Sequence, residues 1–111
     1  MIEELIIQYL SGRLSVPVFG EIPPSPPQRF VVVEKTGGGA ENRISSAMLI
    51  VQSYGTSMLD VIQLNEEVKQ AMEGAEELAE IVRCSLNSDY NFPATNIKRR
   101  RYQAVFDIVH Y

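Results

Sequence analysis

The stretch from Arg43 to Gly74 leaves the chain few architectures to choose from, because a long strand pattern, a glycine turn and an amphipathic helix pattern follow one another without a gap. Arg43 to Tyr54 (RISSAMLIVQSY) is dense in apolar and hydroxyl side chains and holds no Gly or Pro, which predicts a strand. Gly55 breaks the extended run. Ser57 then stands at an N-cap position, and Asp60, three residues on, completes a capping-box-like Ser-x-x-Asp pattern. At about 100° per residue, Met58, Val61, Ile62, Leu64, Val68, Ala71, Met72 and Ala75 share about half of the helix circumference, opposite Asp60, Gln63, Glu67 and Gln70. A stripe that wide needs a sheet to lie on, and Gly74 is expected as the C′ residue that ends the helix. Two residues break the pattern: Leu59 points away from the stripe and Asn65 falls inside it. A buried Asn65 requires a hydrogen-bond partner, and Leu59 is a candidate subunit contact.

The remaining segments supply more strands and one more helix. Ile2, Leu5, Ile6, Tyr9 and Leu10 recur at helical spacing, with Glu4, Gln8 and Ser11 on the other side and Gly12 as a stop. Val16 to Pro27 holds five of the six prolines and reads as a stiff connector, with a short edge strand at Pro17 to Phe19. Arg29 to Lys35 (RFVVVEK) is rich in β-branched residues, and TGGGAEN is expected to be a loose hairpin tip leading into the Arg43 strand. Ala75 to Glu80 is acidic, Ile81 to Leu86 predicts a short strand, and NSDYNFPATN reads as a loop. From Lys98 to the end, Tyr102, Ala104, Phe106, Ile108 and His110 alternate with Gln103, Val105, Asp107, Val109 and Tyr111, the period of a strand.

These elements predict one α+β domain over residues 1–111: an antiparallel sheet of about four strands, two helices mainly on one face, in the order α-β-β-α-β-β. A chain of 111 residues has an expected radius of gyration of roughly 13 Å and buries about two thirds of its unfolded surface. One sheet face is then open, and Val105 and Val109, alternating with Gln103 and Asp107, form a half-apolar surface that a second subunit could cover. No run approaches the roughly 18 apolar residues of a membrane span, and the N-terminal segment lacks the basic start of a signal peptide. With a single cysteine, Cys84, the expectation is a soluble intracellular product without a disulfide framework. The net charge of -4 disfavours a protein that lives on bare nucleic acid.

The motifs point away from chemistry. Thr36 to Ala40 (TGGGA) meets neither the P-loop spacing nor G-x-G-x-x-G, so no nucleotide or other cofactor is expected. Pro24 to Arg29 fits a P-x-x-P-x-Arg pattern but joins two folded elements, as a spacer would. Lys98 to Arg101 is the sole basic cluster, and Glu73, Glu76, Glu77 and Glu80 offer it equal and opposite charge within the chain or on a neighbouring copy. Cys84 has no evident base, His110 is the sole histidine, and no donors lie at metal-ligand spacing; neither catalysis nor metal binding is expected.

RFVVVEKTGGG, ENRISSAMLIVQSYG, LNEEVKQAM and DYNFPATNIKRRRYQAVFDIVHY, taken together, resemble the small tail-completion or tail-terminator proteins encoded in the head-tail joining region of long-tailed phages and prophages. The likeness runs over nearly all of the chain and rests on the succession of elements and on phrases such as VVEKTGG and RYQAVFDI. It implies an α+β subunit that assembles with itself into a ring, commonly six-fold, between the major tail tube protein and the head connector. Such a protein is made in the bacterial cytoplasm and ends at the head-tail joint of the virion. The family works through surfaces, so no catalytic residue carries over; the candidate contacts here are Gly37, Gly38, Gly39, Glu41, Leu59, Arg99, Arg101, Gln103 and Val105. Charge reversal at Arg99 and Arg101 is expected to weaken assembly and leave the monomer folded. A head-closure or neck role in the same region, and a small-molecule site near Cys84 and His110, are the alternatives.

Overall fold

The computed structural model describes residues 1–41, 43–95 and 97–111. Helix α1 (Ile2–Arg13) leads through a two-residue strand β1 (Val18–Phe19) into β2 (Phe30–Glu41) and β3 (Ile44–Gly55). Helix α2 (Met58–Glu73) and a 3-10 turn (Ala75–Glu77) follow, then β4 (Ile81–Asn91) and β5 (Arg100–His110). The class is α+β, but the sheet is mixed and five-stranded, in the order β1-β2-β3-β5-β4. The expected four antiparallel strands and the order α-β-β-α-β-β are therefore corrected: β1 runs parallel to β2 through Val18–Val31 and Phe19–Val32, and the remaining pairs are antiparallel.

A second correction concerns the glycines. Gly37, Gly38 and Gly39 are not the hairpin tip; they lie in β2, opposite Met48, Ala47 and Ser46 of β3. Backbone hydrogen bonds to β3 compensate for the missing side chains, and the chain reverses instead near Arg43, whose φ of 67° is left-handed. Asn42, part of the expected connection, lies outside the described residues. Gly38 is required by contact: a Cβ there would collide with the Ser46 carbonyl oxygen. The loop expected over NSDYNFPATN is likewise shorter, because β4 continues to Asn91; Asn96 lies outside the described residues.

Both helices pack on one face. Ile2, Ile6 and Leu10 of α1 and Val61, Leu64, Val68 and Met72 of α2 are buried, and the main core joins them, Val61 apart, to Val31, Val33, Leu49, Val51, Ala104, Phe106 and Ile108. Each of these side chains larger than Ala104 contributes about 1.5–3 kcal/mol when fully buried. The predicted N-cap is present, with Ser57 Oγ accepting from the Asp60 amide at 3.2 Å. Ile62 departs from the predicted stripe and is 41% exposed, beside Leu59 at 76%. Gly74 also departs from expectation: its φ is -87°, in the right-handed region, so it is no left-handed C′ residue. Proximity explains it, since a Cβ at Gly74 would lie 2.8 Å from the Tyr9 hydroxyl, which donates to the Ala71 carbonyl at 2.6 Å and ties α1 to the end of α2.

Asn65, the polar residue inside the stripe, is 1% exposed and donates to Asp89 Oδ2 of β4 at 2.8 Å. Lys69 reaches the same carboxylate oxygen at 2.9 Å and Glu66 at 2.8 Å. Asp89 thus holds two groups of α2 against the sheet edge. Replacing it with Ala leaves the buried Asn65 amide donors unpaired; the expected loss is about 1–3 kcal/mol, read as a lower urea midpoint with an unchanged slope.

Candidate functional site

The sheet face away from the helices is divided into a closed half and an open half. In the closed half, Phe30 of β2 and Tyr54 of β3 stack with ring centroids 4.5 Å apart and planes within 2°, and Phe19 meets Phe30 edge-on at 6.0 Å. Ile22 from the proline segment and Ala94 and Ile97 from the β4–β5 connection pack against this pair. The proline stretch is therefore a cover folded onto the sheet.

Arg101 and Arg99 hold that cover down. The Arg101 guanidinium lies 4.3 Å from the Phe92 ring centroid and 5.8 Å from that of Tyr54, and it donates to the carbonyls of Phe92 at 2.7 Å and Pro93 at 3.0 Å. Arg99 donates to the carbonyls of Pro27 and Pro26, both at 3.1 Å. Prolines leave carbonyls without neighbouring amide donors, and a guanidinium fork supplies several donors from one side chain. A carboxylate at either position would face these carbonyl oxygens, so charge reversal is expected to lower the stability of the subunit as well as any contact beyond it. Within the chain, two of the acids expected to face the basic cluster have other partners, Glu77 meeting Arg13 at 3.2 Å and Glu76 accepting from the Cys84 amide at 3.0 Å.

Beside the stack runs a chain of polar groups, buried at its centre and open at its ends. Arg101 Nη1 donates to the Tyr54 hydroxyl at 3.2 Å, Tyr54 to Gln52 Oε1 at 3.0 Å, Gln52 Nε2 to Gln103 Oε1 at 2.9 Å and Gln103 Nε2 to the Tyr90 hydroxyl at 2.7 Å. Gln103 and Val105, named from the sequence as contact candidates, are 3% and 7% exposed and lie within the subunit's own packing.

The open half lies at the other end of the same face. Thr36, Gly37, Gly38, Ser46, Met48, Arg83, Ser85, Asp107 and Val109 line a shallow depression of about 600 Å³. Ile44 and Met48 are 42% and 39% exposed there, and Val82 of β4 is 44% exposed. Gly37, Gly38, Gly39 and Glu41 all belong to this end and are exposed, whereas Leu59 lies apart on α2. Sequence reading missed Ile44, Met48, Val82 and Arg83. The usable signal was that β3 carries apolar side chains on both faces while the acid-rich helix can cover only one.

Groups with chemical potential do not converge. Cys84 lines a groove of about 330 Å³ with Glu66, Lys69, Met72, Leu86 and Phe106, whereas His110 lines a different depression with Ile2, Gln8 and Glu80. Burial, with help from the Glu76 charge, pushes the Cys84 thiol up to about 11. Hydrogen bonds first to Glu66 and then to Asp89 raise Lys69, and desolvation raises Tyr9 despite the opposing Arg13 charge. Among the described residues no group of three or more His, Cys, Asp or Glu side chains is arranged to hold a metal ion, and no helix is long and apolar enough to cross a membrane. No protein-family model and no curated protein matches the chain.

Two outcomes follow from this geometry. Arg101→Ala is expected to cost about 1–3 kcal/mol and to speed amide exchange in the β4–β5 connection, with Arg101→Lys recovering only part because an ammonium lacks the planar fork. Because the folded protein favours the neutral Cys84 thiol, that contribution is complete below about pH 9 and is lost as pH rises through about 11. At pH 8, iodoacetamide should then label the folded chain about a hundredfold more slowly than the urea-unfolded chain, a gap that narrows towards pH 11.

Proposed function

We propose that this protein is a structural component of a phage virion that caps the tail tube as a ring of identical subunits and joins it to the head connector. What supports the reading best is the distribution of exposed apolar residues. Ile44, Met48 and Val82 gather at the open end of the sheet, and Leu59 and Ile62 sit one helical turn apart on α2. Two separate apolar patches fit a subunit with neighbours on more than one side. Cys84 and His110 line different depressions, which weighs against the alternative of one small-molecule site lined by both.

The mechanism is stoichiometric. A ring that matches the last ring of the tube on one side, and presents a different surface on the other, stops polymerisation because the next tube subunit finds no complementary patch. The assembly takes place in the bacterial cytoplasm and ends at the head-tail joint.

The test is growth of purified tail tube protein in the presence of the chain. Tubes should stop lengthening at substoichiometric amounts, and Leu59→Asp should weaken binding to tube ends about tenfold or more, the worth of one buried leucine. Unchanged tube growth, with capture by the head connector alone, would move the assignment to a neck protein of the same region.

A further inference from the structure

Each copy of this chain carries two outer strand segments with no strand beside them among the described residues, and the register sets them at the same height. On one side, β1 covers β2 only at Val31 and Val32, so among the described residues no strand lies beside Glu34 to Glu41. On the other side β4 is the outer strand, paired among the described residues with β5 alone; its Cys84 amide donates to the Glu76 carboxylate at 3.0 Å, a side-chain contact that a joining strand would displace. Reading across the sheet, Gly37 is level with Met48, Asp107 and Ser85, and Gly39 with Ser46, Val109 and Arg83. The free part of β2 and the first part of β4 therefore stand side by side across the width of the sheet. They also run in opposite directions, because β2 and β5 point one way and β3 and β4 the other.

From this we infer that β4 of one copy adds to the free part of β2 of the next, extending the sheet antiparallel from subunit to subunit. Bulges at Thr36, Val82 and Asn87 interrupt both edges, which keeps them from pairing with any passing strand and narrows the contact. Between them, Gly37 to Glu41 and Arg83 to Leu86 keep a regular ladder with their inner neighbours, and it is these windows that face each other. Side-chain chemistry suits the match. Arg83 comes level with the bare backbone of Gly39 and diagonal to Glu41, on the same face, so an exposed cation meets an exposed carboxylate. Beyond the window, β1 occupies the edge level with Tyr90 and Asn91, so the last part of a neighbour's β4 is turned away. A contact between different edges is heterologous, and with no shift along the strands it closes into a ring where the axis relating neighbours runs parallel to the strands.

The inference deepens the ring reading above and rests on it for the closed assembly, though the strand pairing itself is tested separately. On a Cys84→Ser background, Gly37→Cys and Ser85→Cys are made in separate full-length chains; both sites are exposed, and a Cβ at Gly37 meets nothing within 4 Å. Cα atoms facing each other across an antiparallel pair lie about 4.5–5.5 Å apart, within disulfide reach. Mild oxidation of the mixture should yield the mixed disulfide dimer, and neither variant alone should yield a dimer. Arg83→Glu should lower the yield about threefold, and adding Glu41→Arg in the other chain should restore it. A dimer from Ser85→Cys alone, from Gly37→Cys alone, or no mixed product would overturn the pairing. Rings at tube ends without the mixed disulfide would refute these strands and leave the ring reading standing; the mixed disulfide in a chain that ignores tube ends would do the reverse.

Discussion

Strand β3 is hydrogen-bonded on both sides along nearly its whole length, to β2 from Ile44 to Tyr54 and to β5 from Ser45 to Gly55. Everything else is placed by that arrangement. A central strand must satisfy its amides and carbonyls on two sides, so β2 and β5 are forced into register with it, and their alternation fixes which side chains meet the helices. Leu49 and Val51 go to the helix side with Val33, Ala104 and Phe106, while Gln52 and Tyr54 go to the other. The helices then close one face because α2 follows β3 almost at once, after Thr56, with Ser57 as its cap.

The second face lacks a helix, and its two halves solve the exposure of apolar strand residues differently. At one end, loops carry Ile22, Ala94 and Ile97 onto the Phe30–Tyr54 stack, and two arginines bind the carbonyls that those proline-containing loops leave free. At the other end, the long β2–β3 pair runs on beyond the cover, giving the subunit extents of 44 × 24 × 23 Å and exposing Ile44 and Met48. The division makes physical sense of a small chain. With two helices and two loops there is enough material to cover about one and a half faces, and the uncovered part is what remains for another molecule.

Much of this was legible in local patterns. The Ser57 cap, the buried positions of α2 other than Ile62, the alternation of β5 and the buried face of α1 all come from spacing and capping, which act over a few residues. Asn65 was legible as a residue needing a partner, though Asp89 as that partner was not. The glycines misled because Gly37 to Gly39 have low intrinsic strand preference; eleven paired residues along β2 and β3 outweigh it. The arginines misled for a different reason. A basic run looks like a surface for a partner until the path of the prolines shows carbonyls waiting for donors within the same chain.

The amino-acid order by itself determined the class of the fold, the two helices, the principal strands and the absence of recognisable catalytic spacing, because those follow from side-chain period and short-range hydrogen bonding. Tertiary structure alone decided that Gln103, Val105, Arg99 and Arg101 turn to the subunit's own interior and loops, and that Ile44, Met48, Val82 and Arg83 remain outside. Whether a strand residue is covered depends on which neighbour lies across the sheet and which loop returns over it. Both are set by pairing between segments tens of residues apart, which no local window of sequence contains.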